Sequence, residues 1–243
     1  MSARTVFVAS GGADVGSPIS AALSANGARV AWLSDGAQAP ACDVGVAVHR
    51  VATGFASRAE LEAAFADAAA IVGVPDQVVV SVLPLAALQP TAIDELAGDA
   101  WRAACDAAMK GVLYALQASF EQMAARGGSV VVVGPSLSLP GAPRLVALSA
   151  AVEGQRGLVK SVARQWGARG ITVNWIAAAP RALSPLFDGL TLAIKPDPVM
   201  VALGRPMALG ADIAPVIDFL GGPAGRSMTG ATLMVDGGEW MVP

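Results

Sequence analysis

Seven short runs of this chain are too apolar to keep a face in water. They are "TVFVAS" (5–10), "ARVAWLS" (28–34), "VGVAVHRV" (44–51), "DQVVVSVL" (76–83), "GSVVVVG" (128–134), "ITVNWIA" (171–177) and "GATLMVDGG" (230–238), the third being the weakest. A strand with one wet face alternates apolar and polar residues, whereas a nearly continuous apolar run belongs to a strand covered on both sides. Between the runs lie stretches with apolar residues at helical spacing: 17–27, 57–73, 94–127 as one or two helices, about 146–168, and 210–222. Ser57 with Glu60 three residues later reads as a capping box at the second of these. Strands this apolar, alternating with helices, predict a parallel sheet with helices on both faces, formed by residues 1–243 as one domain.

Composition narrows the function classes. The chain is 54% hydrophobic and 14% charged, which calls for a large core or buried subunit interfaces. Its net charge is −3 and only Lys110, Lys160 and Lys195 are lysines, with no basic stripe carrying interleaved aromatics; nucleic acid is not an expected partner. Cys42 and Cys105 read as buried thiols in a reducing compartment. The opening "MSARTVFVASGG" has too short an apolar run for a signal peptide or a membrane span, so a cytoplasmic protein without a membrane partner is expected.

The phrases "GARV" (27–30), "GITVNWIA" (170–177) and "GRPMALGADIAPVIDFLGGPAGRSMTGATLMVDGG" (204–238) carry a resemblance to the short-chain dehydrogenase/reductase family. Similarity is greatest to its ketoacyl-reductase-like members, which close with a TG…VDGG segment. The resemblance implies an α/β fold, a Rossmann-type doubly wound parallel sheet of about seven strands flanked by helices, assembled as dimers or tetramers. It also implies hydride transfer between NAD(P) and a carbonyl or alcohol, although function has to be argued from the site rather than the fold.

The family's first turn is Thr-Gly-x-x-x-Gly-x-Gly, whose glycines let the backbone approach a pyrophosphate at a helix N-terminus. It falls on Ala9 to Gly16, where Ser10 and Asp14 replace two glycines and Gly16 alone stays in register, with Gly11 and Gly12 still able to make a turn. A carboxylate at Asp14 would face the phosphates of a dinucleotide, a repulsion of roughly 1 kcal/mol in water at about 4 Å and more when partly buried. The expectation is that Asp14 caps the first helix and occupies the anion site itself. The family's Asn-Asn-Ala-Gly falls on Val80, Ser81, Val82 and Leu83, its adenine-side Asp near Gly54, and its Pro-Gly on Ala178 and Ala179. Asp35 stands where an NAD-preferring member keeps its ribose-binding acid, or is a solvated turn residue.

The resemblance also places four catalytic residues. A Tyr exchanges the substrate proton, a Lys four residues on lowers its pKa, a Ser orients the carbonyl and an Asn completes a proton relay. These positions read Leu148, Val152, Pro135 (with Ser136 adjacent) and Ala108. Tyr114, Lys110, Lys160 and His49 are expected to be packed or solvated rather than substitutes. No metal-ligand cluster, Ser-His-Asp arrangement or close carboxylate pair offers other chemistry.

The chain therefore reads as a catalytically inactive subunit with no cofactor of its own. It is expected to assemble as a dimer or tetramer with an active subunit of the same family that binds NAD(P). The heteromeric hydroxybenzylsuccinyl-CoA dehydrogenases of anaerobic toluene breakdown, with one non-catalytic subunit of this family, are a precedent. The alternatives are an NAD(P)-dependent oxidoreductase with an atypical site near Ser136 and the connector 178–205, and a ligand-sensing regulatory protein using the old cleft. Trp240 and Met241 in the tail "EWMVP" are expected to anchor an interface.

Overall fold

Strand β1 (Thr5–Gly12) is buried along its length up to Gly11 and lies inside a seven-stranded sheet. The computed structural model describes residues 3–35, 46–50, 55–188 and 201–241, with the backbone alone for 46–50. On one side of β1 come β2 (Arg29–Ser34) and β3 (Val46–Arg50). On the other come β4 (Gln77–Leu83), β5 (Gly128–Pro135), β6 (Ile171–Ala178) and β7 (Thr232–Val235). The order is β3-β2-β1-β4-β5-β6-β7 and every neighbouring pair is parallel. This is the parallel sheet that the apolar runs predict and the seven-stranded Rossmann-type sheet that the family resemblance implies.

The helices are α1 (Gly16–Ala25), α2 (Arg58–Val72), α3 (Gly98–Met123), α4 (Val146–Trp166), the short α5 (Pro180–Leu183) and α6 (Ala214–Gly221). Helices α2, α3 and α4 pack in a row, while α1 packs against α6, so the strands are covered by two helical layers. At α2 the capping box is realised from one side, the Ser57 hydroxyl accepting the Glu60 N–H at 3.4 Å. The stretch 94–127 holds one helix, which begins at Gly98 after a turn.

One polar clamp ties the approach to β7 onto the sheet, and a second holds the turn before α6. Asn174, fully buried in β6, donates to the Met228 carbonyl at 2.7 Å and accepts the Ala231 N–H at 3.1 Å, while the Thr229 hydroxyl accepts the Val173 N–H. The Asn and Thr of the "TVN…TG" phrases thus fix where β7 starts. Before α6 a π-helical turn (Leu209–Ile213) is held by Asp212, which accepts from Arg205 at 2.7 and 2.9 Å and from the Ala208 N–H at 2.8 Å. Those donors hold the Asp212 carboxyl down at about 2. Among the described residues no helix is long and apolar enough to cross a membrane.

Candidate functional site

In an open parallel sheet, ligands bind in the crevice outside the carboxyl ends of the strands, where the strand order reverses. That switch point lies between β1 and β4, which puts Gly11 opposite Val82 and Gly12 opposite Leu83. Gly12 has φ +87°, and a side chain there would run into the Leu83 carbonyl, so the turn requires glycine. The Ala13 N–H closes the turn onto the same carbonyl at 3.2 Å.

Two carboxylates sit on this turn. Both oxygens of Asp35 lie 3.1 Å from the Gly12 nitrogen and accept its N–H, so Asp35 folds back on the first turn from the end of β2. Asp14 accepts the Ser17 N–H at 3.3 Å and so caps α1 from one residue before Val15, the helix-flanking residue, whose own side chain makes no cap. Ser10, in place of a glycine, accepts the Trp32 indole N–H at 2.8 Å within the core.

Phe55 closes the crevice from the side. It is 1% exposed and takes φ +63°, a region that bulky L-residues rarely occupy. A Cβ placed on Gly11 would lie 2.8 Å from its ring, and one on Gly111 of α3 would lie 3.3 Å from its Cβ and 2.7 Å from Val82. Phe55 therefore occupies space that two missing side chains leave at the switch point. Val80, Ser81, Val82 and Leu83 are all buried beside it.

The second half of the crevice lies between β5 and α4. Leu148 and Val152, one turn apart, are both 0% exposed, and Ala108 on α3 is 1% exposed. Pro135 ends β5 buried, and Ser136 is wholly buried with a hydroxyl that has no hydrogen-bond partner among the described residues. Ala178 and Ala179 are buried at the end of β6. One turn beyond Val152, Gln155 is 1% exposed and its amide donates to the carbonyls of Ala108 at 3.0 Å and Val82 at 3.4 Å. This amide joins β4, α3 and α4 where polar chemistry would otherwise be held.

The remaining candidates lie apart. Tyr114 is half-buried against the core and Lys160 is exposed. Lys110 pairs with Asp106 at 3.0 Å on the surface of α3. The side chain of His49, all of Cys42 and the segment 189–200 of the connector lie outside the described residues. Cys105, expected to be buried, is half-buried; burial still pushes its thiol above the usual range, with the Asp106 charge adding to the shift. Among the described residues no group of three His, Cys, Asp or Glu could hold a metal. Asp236 accepts the N–H groups of Gly238 and Trp240, Gly237 and Gly238 take positive φ, and the chain turns back so that the Trp240 indole nitrogen is buried while Met241 is exposed.

A family model described as enoyl-(acyl carrier protein) reductase matches residues 11–239. This chain belongs to the short-chain dehydrogenase/reductase family. Among curated relatives, the 3-oxoacyl-[acyl-carrier-protein] reductase FabG of Staphylococcus aureus is 33% identical over 144 residues, 58% of this chain and 57% of the relative. A diacetyl reductase of the same organism is 30% identical over 63% of this chain and 64% of its own length. The chain thus spans little more than half the length of the first curated relatives it matches. Solved structures match along nearly the whole chain. A short-chain dehydrogenase/reductase from Serratia marcescens is 25% identical with TM-score 0.73, covering 97% of this chain and 96% of that one. A levodione reductase, at 19% identity, shares the fold with TM-score 0.82 over 97% of both chains. A blue fluorescent protein from a metagenomic library, solved in complex with NADPH, is 23% identical with TM-score 0.70, again over 97% of both. Members of this short-chain dehydrogenase/reductase family typically bind NAD(P).

Phe55 and Gln155 are the site residues that sequence reasoning missed. Gln155 carried a signal: it stands seven residues after Leu148 and three after Val152, on the same helical face. Phe55 carried almost none, being a lone aromatic in "VATGFAS" after the weakest strand.

Proposed function

We propose that this short-chain dehydrogenase/reductase does not transfer hydride itself and works as a non-catalytic subunit beside an active member of its family. The observation that carries this reading is the dry face of α4. Leu148 and Val152, where the family resemblance puts the tyrosine and lysine, are both 0% exposed, and the only polar side chain of that face, Gln155, is spent on two backbone carbonyls. No side chain on that face of α4 can exchange a proton with a carbonyl or an alcohol.

The residues present do not fit a dinucleotide either. The Gly12 N–H that would meet a phosphate is taken by Asp35, Asp14 adds a second carboxylate at the N-terminus of α1, and Phe55 fills the space between β1, β4 and α3. Two like charges beside an incoming pyrophosphate oppose it, the more so where water is thin. No catalytic step through NAD(P) is assigned to this chain.

Association is supported by surfaces away from the crevice. A groove of about 460 Å³ runs along α3 and α4, floored by Leu116, Phe120, Val162 and Trp166, with Arg58 and Glu121 at its rim. Phe219 on α6 is 44% exposed, and all four residues of β7, the sheet's last strand, are half-exposed. Apolar surface of this kind, together with a half-covered edge strand, fits a subunit contact.

The test is to purify the intact chain alone and from its native cells. Alone, it is expected to oxidise or reduce no alcohol or ketone with NAD(H) or NADP(H). From its cells it is expected to bring down an active relative whose turnover falls when this chain is withheld. Turnover by the chain alone would favour the atypical oxidoreductase instead.

A further inference from the structure

We propose that Phe55 is a built-in occupant of the β1–β4 crevice: its ring holds the place of a flat heteroaromatic ring of the adenine class and keeps such rings out. The inference rests on the reading that the chain takes no dinucleotide, and it names the part that excludes one. Three features carry it. The ring sits at the switch point, against Gly11 of β1 and beside Val82 of β4, rather than between the middle of the sheet and a helix as Phe65 does against Phe7. The wall is shaped to receive it, since a Cβ on Gly11 would be 2.8 Å from Cδ2 and 3.2 Å from Cε2 of the ring, and the facing position on α3 is also glycine. The backbone carries the ring there at φ +63°, a conformation a bulky residue keeps only where its surroundings over-determine it.

A ring supplied by the chain gives the crevice the packing that a bound ring would otherwise give it. The residues around the ring, Gly11, Gly111 and Val82, offer no charged or polar side chain, so a planar aromatic body without charge is the ligand the space suits. An anionic ligand would still meet Asp14 and Asp35 at the turn. Glycine at position 55 would relieve the backbone and remove the ring together.

The experiment uses the intact chain with Phe55→Gly, Phe55→Leu and, as a control at a buried ring elsewhere, Phe65→Leu. The probe is adenosine, which is neutral, followed by NAD+, and the readouts are the thermal midpoint and calorimetric titration. In F55G, millimolar adenosine is expected to raise the midpoint by several degrees, with a smaller rise in F55L and none in the unchanged protein or F65L. NAD+ is expected to bind F55G at least about tenfold more weakly than adenosine, because the two carboxylates remain. Should F55G not fold, F55L decides. A folded F55L without any response overturns the inference, as does adenosine stabilising the unchanged protein or F65L as much as the Phe55 variants. Phe55 variants that stay inert while the unchanged protein is also inert in turnover sink this inference alone. Nicotinamide turnover by the unchanged protein sinks the reading of a non-catalytic subunit.

Discussion

The two halves of the crevice differ in opposite ways from the pattern that the family resemblance implies. Between β5 and α4 the positions that the resemblance would make polar are apolar, and Leu148, Val152 and Ala108 are sealed in the core. Between β1 and β4 the turn is still built on Gly12, with its N–H directed at an anion, but the anion is the chain's own Asp35. One half is dry and the other is occupied from within. The two changes rest on different residues, so undoing one leaves the other in place.

The largest expected effect comes from undoing the dry half. The variant Leu148→Tyr with Val152→Lys puts a hydroxyl and an ammonium at two fully buried positions. It is expected to lose about 4 kcal/mol or more in urea unfolding, most of it from the lysine. No nicotinamide-dependent turnover should appear. A double variant as stable as the parent, or active with NAD(P)H, would break the comparison at its first half.

Next comes Gln155→Leu. It removes the side-chain donor to the carbonyls of Ala108 and Val82 in a buried place, at a cost of about 1–3 kcal/mol. A loss near zero by denaturant titration would mean that water reaches this face, against the burial of Leu148 and Val152.

Much of this was legible from the chain, for identifiable physical reasons. Leu148 and Val152 stand four residues apart on one helical face, so their burial follows from their chemistry and spacing. Asp14 just ahead of a helical pattern announces a cap. Asp35 was legible as an acid at a strand end but not as a partner of Gly12, because that contact joins two segments 23 residues apart. Phe55 was hidden because its meaning lies in two glycines on other elements, at positions 11 and 111. The fold-back of Trp240 depends on the positive-φ pair Gly237 and Gly238 together with a buried carboxylate at Asp236. "VDGG" contains all three residues, but the direction the chain takes after them is a tertiary fact.

Carboxylates far from the crevice sharpen the contrast. Asp212 holds a framework turn, and Asp212→Ala is expected to cost about 1–2 kcal/mol. Its carboxyl is depressed to about 2 in the folded protein, while in the unfolded chain it titrates near about 4. The stabilisation is therefore complete above about pH 4 and disappears as pH falls towards about 2. The difference in stability between parent and D212A should shrink over that window and be flat above it, which acid titration of the two proteins measures.

The smallest effect is expected from Asp35→Ala, which removes one acceptor from an exposed Gly12 N–H that water can serve instead. A cost of at most about 0.5 kcal/mol follows. Because Phe55 and Asp14 remain, NAD+ affinity should stay undetectable. Micromolar binding in D35A would make Asp35 the sole obstacle and reduce the occupied half to one residue.

The most direct measurement is a calorimetric titration of the intact, isolated protein with NADH and with NADPH. No saturable heat up to millimolar nucleotide is the expected result, since the Gly12 N–H and the ring space beside Gly11 are already filled by the chain itself. Saturable binding with micromolar affinity for either nucleotide would contradict it.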